Sequence, residues 1–182
     1  GGGAPDKAEA EVEVFVDGTA AIRTSSAEMG QNLVGVLAAC TAEELGLPFH
    51  QVRVLVMDTD LAPDGGPTTA SRQTFVSGNA ARLAARTMRE RIQAVLAEKY
   101  DVPPDVIAFH EGLAYIYEAR LADVHGATGD GNGHTAPAAP RPSPLARTIP
   151  FADAVQAMLD EGRAPKLRYE YWAPKTQPLG TG

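Results

Sequence analysis

The stretch QNLVGVLAACTAEELGLPFHQVRVLVMD, Gln31 to Asp58, decides the fold class, because the hydrophobic period changes within it. Leu33, Leu37 and Cys40, with Val34, Ala38, Thr41 and Leu45 beside them, recur at helical spacing. So few charges before Glu43 predict a helix buried on most sides. Gly46 supplies a C-terminal stop and Pro48 prevents continuation. QVRVLVMD then runs nearly continuous in β-branched and apolar residues, which predicts a central strand ending at Asp58. A helix followed at once by a strand is the signature of an α/β chain.

Upstream, Val12, Val14 and Val16 alternate with Glu11, Glu13 and Phe15 before Asp17-Gly18, a tight-turn pair that predicts a hairpin. Ser25 and Glu28 form a capping-box pattern that opens the helix from about Glu28. Downstream, the longest helix is expected over roughly 76–99. Ala80, Leu83, Ala84, Met88, Ile92, Val95 and Leu96 form its stripe, with Arg86, Arg89, Glu90 and Arg91 on the wet side. Val102-Pro103-Pro104 ends it. VIAFHEGLAYI predicts a second hairpin turning at Glu111-Gly112. Residues 123–146 are rich in Gly, Pro, Ala and Thr and read as a linker or long surface loop. Phe151, Val155, Met158 and Leu159 give a short helix closed by Gly162. LRYEYW gives a last strand with Leu167, Tyr169 and Tyr171 on one face. The expected fold is mixed α/β (α+β), with strands and hairpins packed against two long helices. It divides into 1–122, the linker 123–146, and 147–182 completing or extending the first part.

The chain has 182 residues, 44% of them hydrophobic and 21% charged, enough for a real core in one domain or two small ones. A net charge of −7 argues against a nucleic-acid partner, since no basic surplus faces the phosphates. No apolar run reaches membrane-spanning length. The single Cys40 excludes an internal disulfide framework and an iron–sulfur cluster held by this chain alone, and suits a reducing, cytoplasmic setting. An opening at Gly1-Gly2-Gly3 without methionine reads as a fragment.

Most candidate sites dissolve on inspection. Asp58-Thr59-Asp60 with Asp64-Gly65 resembles a calcium loop, but Ala62 and Pro63 stand where a ligand and a glycine are needed. His125 and His134 lie in the linker with no cysteine or helical pairing, and His110 has no partner in the sequence. Cys40 is expected in the core rather than as a nucleophile. No Gly-x-Ser-x-Gly elbow, phosphate-binding Walker loop or dinucleotide fingerprint occurs.

DGGPTTASRQT, Asp64 to Thr74, remains: four hydroxyls and almost nothing apolar, set against the start of the longest helix. Helix N-termini carry unpaired amides and a positive dipole end. Thr68, Thr69, Ser71 and Thr74 add hydroxyl donors, Arg72 a charge, Gln73 an amide, and Ala70 leaves space. Two readings stand. The run is either an elaborate cap through Ser71, Thr74 or Ser77, or a cradle for an anionic or polar cofactor. Gln31, at the head of the earlier apolar helix, is a second polar spot that could face a ligand.

AEMGQN, TAEELGLPFHQVRVLVMDTDLAPDGGPTTASRQTFVSGNAARLAAR and RYEYWAPKTQPL together resemble the molybdenum-cofactor-binding large subunit of the xanthine dehydrogenase/aldehyde oxidase family. The resemblance is dense from Pro5 to about Arg91 and visible again from about Ile149 to Leu179. It implies a molybdopterin cofactor, the cytosine dinucleotide form included. It also implies that Gly30 and Gln31 present the glutamine near the molybdenum ligands. Thr69, Ala70, Ser71, Arg72, Gln73 and Thr74 would wrap the pterin and its phosphate, with Ala70 nearest metal and substrate. The metal is held by the pterin, so no protein metal ligand is assigned. The family commonly has glycine where Asn32 stands, which would leave the backbone beside Gln31 tighter or differently aimed.

The family's general-base glutamate lies towards the end of its subunit, and this chain stops at Gly182 before that position. No catalytic residue is therefore assigned, and the segment alone is expected to be inactive. The whole enzyme would oxidise a purine, another N-heterocycle or an aldehyde with water as oxygen source. Iron–sulfur clusters and FAD would sit on partner domains or subunits, alongside the remaining parts of the large subunit and a small-molecule substrate. No nucleic acid or membrane partner is implied. The competing expectation is a non-catalytic interaction or assembly domain that keeps the fold without cofactor. Apolar surface is expected along both main helices, where partner segments would pack.

Overall fold

The computed structural model describes residues 7–24, 32–56, 73–118 and 145–173. Two antiparallel hairpins appear where the sequence places them. β1 (Lys7–Val14) and β2 (Ala20–Thr24) pair with Val12 opposite Ile22. Their turn closes through Phe15 to Gly18, with the Gly18 amide donating to the Phe15 carbonyl and Gly18 at φ 85°. Val16 therefore does not continue the strand alternation; it stands half-exposed in the turn. β4 (Ile107–His110) and β5 (Leu113–Tyr117) turn through Glu111 and Gly112, both at positive φ as a two-residue hairpin loop requires.

Helix α1 (Leu33–Leu45) begins later than the capping-box pattern suggests. Ser25 and Glu28 lie outside the described residues, but Asn32 sits at φ 58°, ψ 34°, a left-handed geometry from which an α-helix cannot run on uninterrupted. Gly46 ends α1, also left-handed, as its sequence position implies. β3 (Val52–Val56) follows and pairs parallel to β2, so β2, α1 and β3 form a crossover unit. Among the described residues β3 is an edge strand, in the order β3-β2-β1-β7. The expectation of a central strand is thus corrected: Leu55 is 41% exposed on that edge. An unbroken apolar run does not by itself specify two strand neighbours. Met57 and Asp58 lie outside the described residues.

Helix α2 (Gly78–Tyr100) is the long one. Ala80, Ala84, Met88, Ile92, Val95 and Leu96 are buried as read, and Ala81 and Ala85 widen the stripe. The small side chains let α2 lie close to α1, β1 and β7. Arg86 and Arg89 are not simply solvated: together with Arg82 they converge on Glu44 of α1. β6 (Leu145–Pro150) adds a third strand to the β4-β5 sheet, beginning where the sequence places the last two residues of the linker. Helix α3 (Phe151–Asp160) and strand β7 (Lys166–Trp172) complete the chain. β7 pairs antiparallel with β1, Ala10 opposite Tyr169, bringing Leu167, Tyr169 and Tyr171 onto one face.

The four-stranded sheet has two unlike faces. Ala8, Ala10, Val12 and Val14 point into the core under the helices. Glu9, Glu11 and Glu13 point away and meet Arg23, Lys166 and Arg168 in a ladder of ion pairs. The two sheets are tied at the Gly46 turn, where the Gly46 carbonyl accepts the Gly112 amide at 2.8 Å. The Gly112 carbonyl in turn accepts the Phe151 amide, also at 2.8 Å.

Candidate functional site

The candidate site lies at the neighbouring heads of α1 and α2. Gly30, Gln31, Thr69, Ala70, Ser71 and Arg72 lie outside the described residues, as do Asp58, Asp60, Asp64, His125 and His134. Gln73 and Thr74 are placed by their backbone: they open a π-helical turn, Gln73–Ser77, that runs directly into α2. The two helix heads lie together, with the π turn packing against α1 and a β-carbon on Gly78 reaching Val36 at 4.0 Å. Hence Asn32 and Gln73, each directly following a run singled out in the sequence, belong to neighbouring helix heads although some forty residues separate them.

Neither the π turn nor the first turn of α1 or α2 carries an acidic side chain. Asn32 at the head of α1 makes no capping hydrogen bond. The positive end of the α2 dipole is therefore not neutralised by a carboxylate among the described residues. Phe75, 53% exposed, lies edge-on to Tyr171 of β7 with ring centres 6.4 Å apart, so the turn is anchored to the sheet.

Asn32 explains itself geometrically. At φ 58° a β-carbon is costly for most residues, while asparagine and glycine tolerate the conformation. Asparagine thus occupies a left-handed position that glycine would also accept. Its side chain folds back over Gly35, where a β-carbon would come within 2.6 Å of the Asn32 Oδ1.

Two other sequence candidates resolve away from chemistry. Cys40 is only partly buried, not fully in the core. Burial above all, and then the Glu43 carboxylate, push its thiol above the ordinary value, which disfavours the nucleophilic thiolate. His110 is exposed at the end of β4. Exposed apolar surface is also unevenly shared. α1 presents Val34 and Ala39 outwards, whereas the exposed positions of α2 are Arg82, Glu90, Glu98 and Lys99, so the expectation fails for α2. Sequence reasoning missed one groove of about 410 Å³, lined by Lys99, Tyr100, Arg147, Asp153, Gln156 and Asp160. Arg147 lies over the Tyr100 ring at 4.7 Å there. Its two cations face two carboxylates, and it sits at the far end of α2, a helix about 34 Å long at 1.5 Å per residue.

Among the described residues no group of three or more His, Cys, Asp or Glu could hold a metal ion, and no helix is long and apolar enough to cross a membrane. Comparison with known proteins agrees with the resemblance. A family described as molybdopterin cofactor-binding domain matches residues 1–138. The chain is 34% identical over 101 residues to 6-hydroxypseudooxynicotine dehydrogenase complex subunit gamma of Paenarthrobacter nicotinovorans, covering 56% of this chain and 13% of that one. It is 39% identical over 87 residues to a probable hypoxanthine oxidase of Escherichia coli strain K12, covering 48% of this chain and 9% of that one. Quinoline 2-oxidoreductase from Pseudomonas putida 86 shares the fold with a TM-score of 0.64 at 20% identity, over 91% of this chain and 19% of that one. The chain thus spans roughly a tenth of the length of these curated relatives.

Proposed function

The chain belongs to the molybdopterin cofactor-binding domain family, and on that premise we propose that it forms part of the cofactor cradle of a molybdenum hydroxylase. The reaction would oxidise a purine, another N-heterocycle or an aldehyde with water as oxygen source. Two relatives named for a pyridine-type and a purine substrate support the heterocycle class. The observation that carries the reading is local. Gln73 and Thr74 stand at the head of a 23-residue helix whose first turn holds no carboxylate, beside the head of α1.

In this reading Thr69, Ser71 and Thr74 donate hydroxyl hydrogen bonds, and the backbone amides of 69–74 donate to phosphate and pterin oxygens. Arg72 adds charge, Gln73 adds an amide, and Ala70 leaves room beside the reacting atoms. Gly30 would let the backbone approach closely, and Gln31 would present its amide near the molybdenum. The bound cofactor supplies the redox and oxygen-transfer chemistry. The chain's residues hold and orient it while the apolar core behind them excludes water. The general base comes from another part of the longer subunit, so this segment binds but does not turn over. Iron–sulfur and flavin groups would sit on other domains or subunits.

The test uses the full-length subunit, produced in a host that makes the cofactor. Molybdenum per polypeptide and pterin released on denaturation are measured for wild type, Ala70→Leu and Ser71→Ala. Stoichiometric molybdenum and pterin in wild type, with at least a tenfold loss in Ala70→Leu, is the expected result. A folded wild-type subunit free of both defeats the proposal.

A further inference from the structure

The turn that heads α2 is wider than an α-helix. Over Gln73–Ser77 the chain follows π-helical geometry before α2 begins at Gly78. An α-helix would have the Phe75 carbonyl accept the backbone amide of Asn79, four residues on. Here the Asn79 side-chain Nδ2 donates to that same carbonyl at 2.7 Å. Each residue of a helix advances about 100° around the axis, so an extra residue in one turn re-aims everything before it by about that angle. Gln73 and Thr74 are the first to emerge through the turn. Its direction therefore sets how Gln73 and Thr74 leave the helix. On the other side the turn is pinned: Val76 and Ser77 are buried, and Phe75 rests against Tyr171.

We propose that Asn79 is a positioning residue, whose side-chain amide holds the Phe75 carbonyl in the π register and thereby aims Gln73–Thr74 at the pterin cofactor. A side-chain bond to the carbonyl four residues back can also be mere surface decoration of a helix. Coincidence with the wide turn, next to the candidate cradle, separates the two. The inference rests on the cofactor reading above.

Asn79→Leu keeps the volume, removes the donor and introduces no charge that could repel an anion. Asn79→Ser restores a donor that can reach the same carbonyl. In the full-length subunit we measure molybdenum and pterin content together with the thermal unfolding midpoint. Asn79→Leu is expected to lose at least fivefold in both contents while melting close to wild type, and Asn79→Ser to recover most of the loss. Equal loading of Asn79→Leu and wild type overturns the positioning role, as does a loss that Asn79→Ser fails to rescue. If Asn79→Leu does not fold, Asn79→Ala against Asn79→Ser decides in the same way. A wild-type subunit carrying neither molybdenum nor pterin removes the cofactor premise instead, which is a distinguishable outcome.

Discussion

Gly46 lies so close to Phe109 that a β-carbon at position 46 would fall 2.5 Å from the Phe109 carbonyl oxygen and 2.6 Å from its β-carbon. This contact joins the α1 turn to the second sheet, and Gly46 is at φ 67° as well. Gly46→Ala is therefore expected to cost about 3–4 kcal/mol, from left-handed strain plus the clash. Gly162, at φ 71° with nothing within 4 Å, is the control. Gly162→Ala should cost only the strain, about 1–2 kcal/mol. Equal losses in urea unfolding would show that the Phe109 contact contributes nothing.

Glu44 is a shared acceptor. Its carboxylate, 11% exposed, takes Arg86 at 2.8 Å and both Arg82 and Arg89 at 3.3 Å, and its carbonyl takes Arg89 again. All three guanidinium groups reach water, so screening limits the gain. Glu44→Gln should cost about 1–2 kcal/mol, and less at high salt. An unchanged urea midpoint would make the cluster decorative.

Thr41 is completely buried on α1, and its Oγ1 has no hydrogen-bond partner among the described residues. An unpaired buried hydroxyl costs more than the methyl that could replace it. Thr41→Val is expected to stabilise by about 1 kcal/mol, read from the thermal midpoint. Destabilisation would mean that the hydroxyl is satisfied in solution.

Glu9 and Glu170 face each other directly across β1 and β7. Burial, then the shared hydrogen bond with Glu170 and its like charge, hold the Glu9 carboxyl above its ordinary value of 4.5. A folded-state acid that binds its proton more tightly stabilises the fold at low pH. That contribution fades as pH rises from 4.5 through the raised folded value. Glu9→Gln should therefore match wild type below pH 4.5 and melt roughly 1–2 °C higher at pH 7. A wild type more stable than Glu9→Gln at pH 7 reverses the sign and refutes the argument.

Much of the fold is written locally. Asp17-Gly18 and Glu111-Gly112 announce hairpins, the α2 stripe announces its buried face, and Leu167, Tyr169 and Tyr171 share the side their alternation assigns. Helical and strand periods arise from neighbours two to four residues apart, so a single sequence displays them. The polar chemistry of 64–74 was equally visible as composition, with capping and cofactor binding left as rival readings of the residues.

Other features depend on partners distant in the chain. That β3 lies at the edge, that β7 crosses back to β1, and that three arginines meet at Glu44 cannot be read from local period. Strand order and ion-pair convergence are settled by packing between segments far apart in the chain, as with Glu11 and Arg168, 157 residues apart. The start of α1 at Leu33 and the wide turn before α2 are not legible in the helical period either, which announces neither the left-handed Asn32 nor the π register. Local chemistry thus determined which helices and strands this chain could form. The burial of their faces against one another decided how they are ordered and how the two helix heads come together.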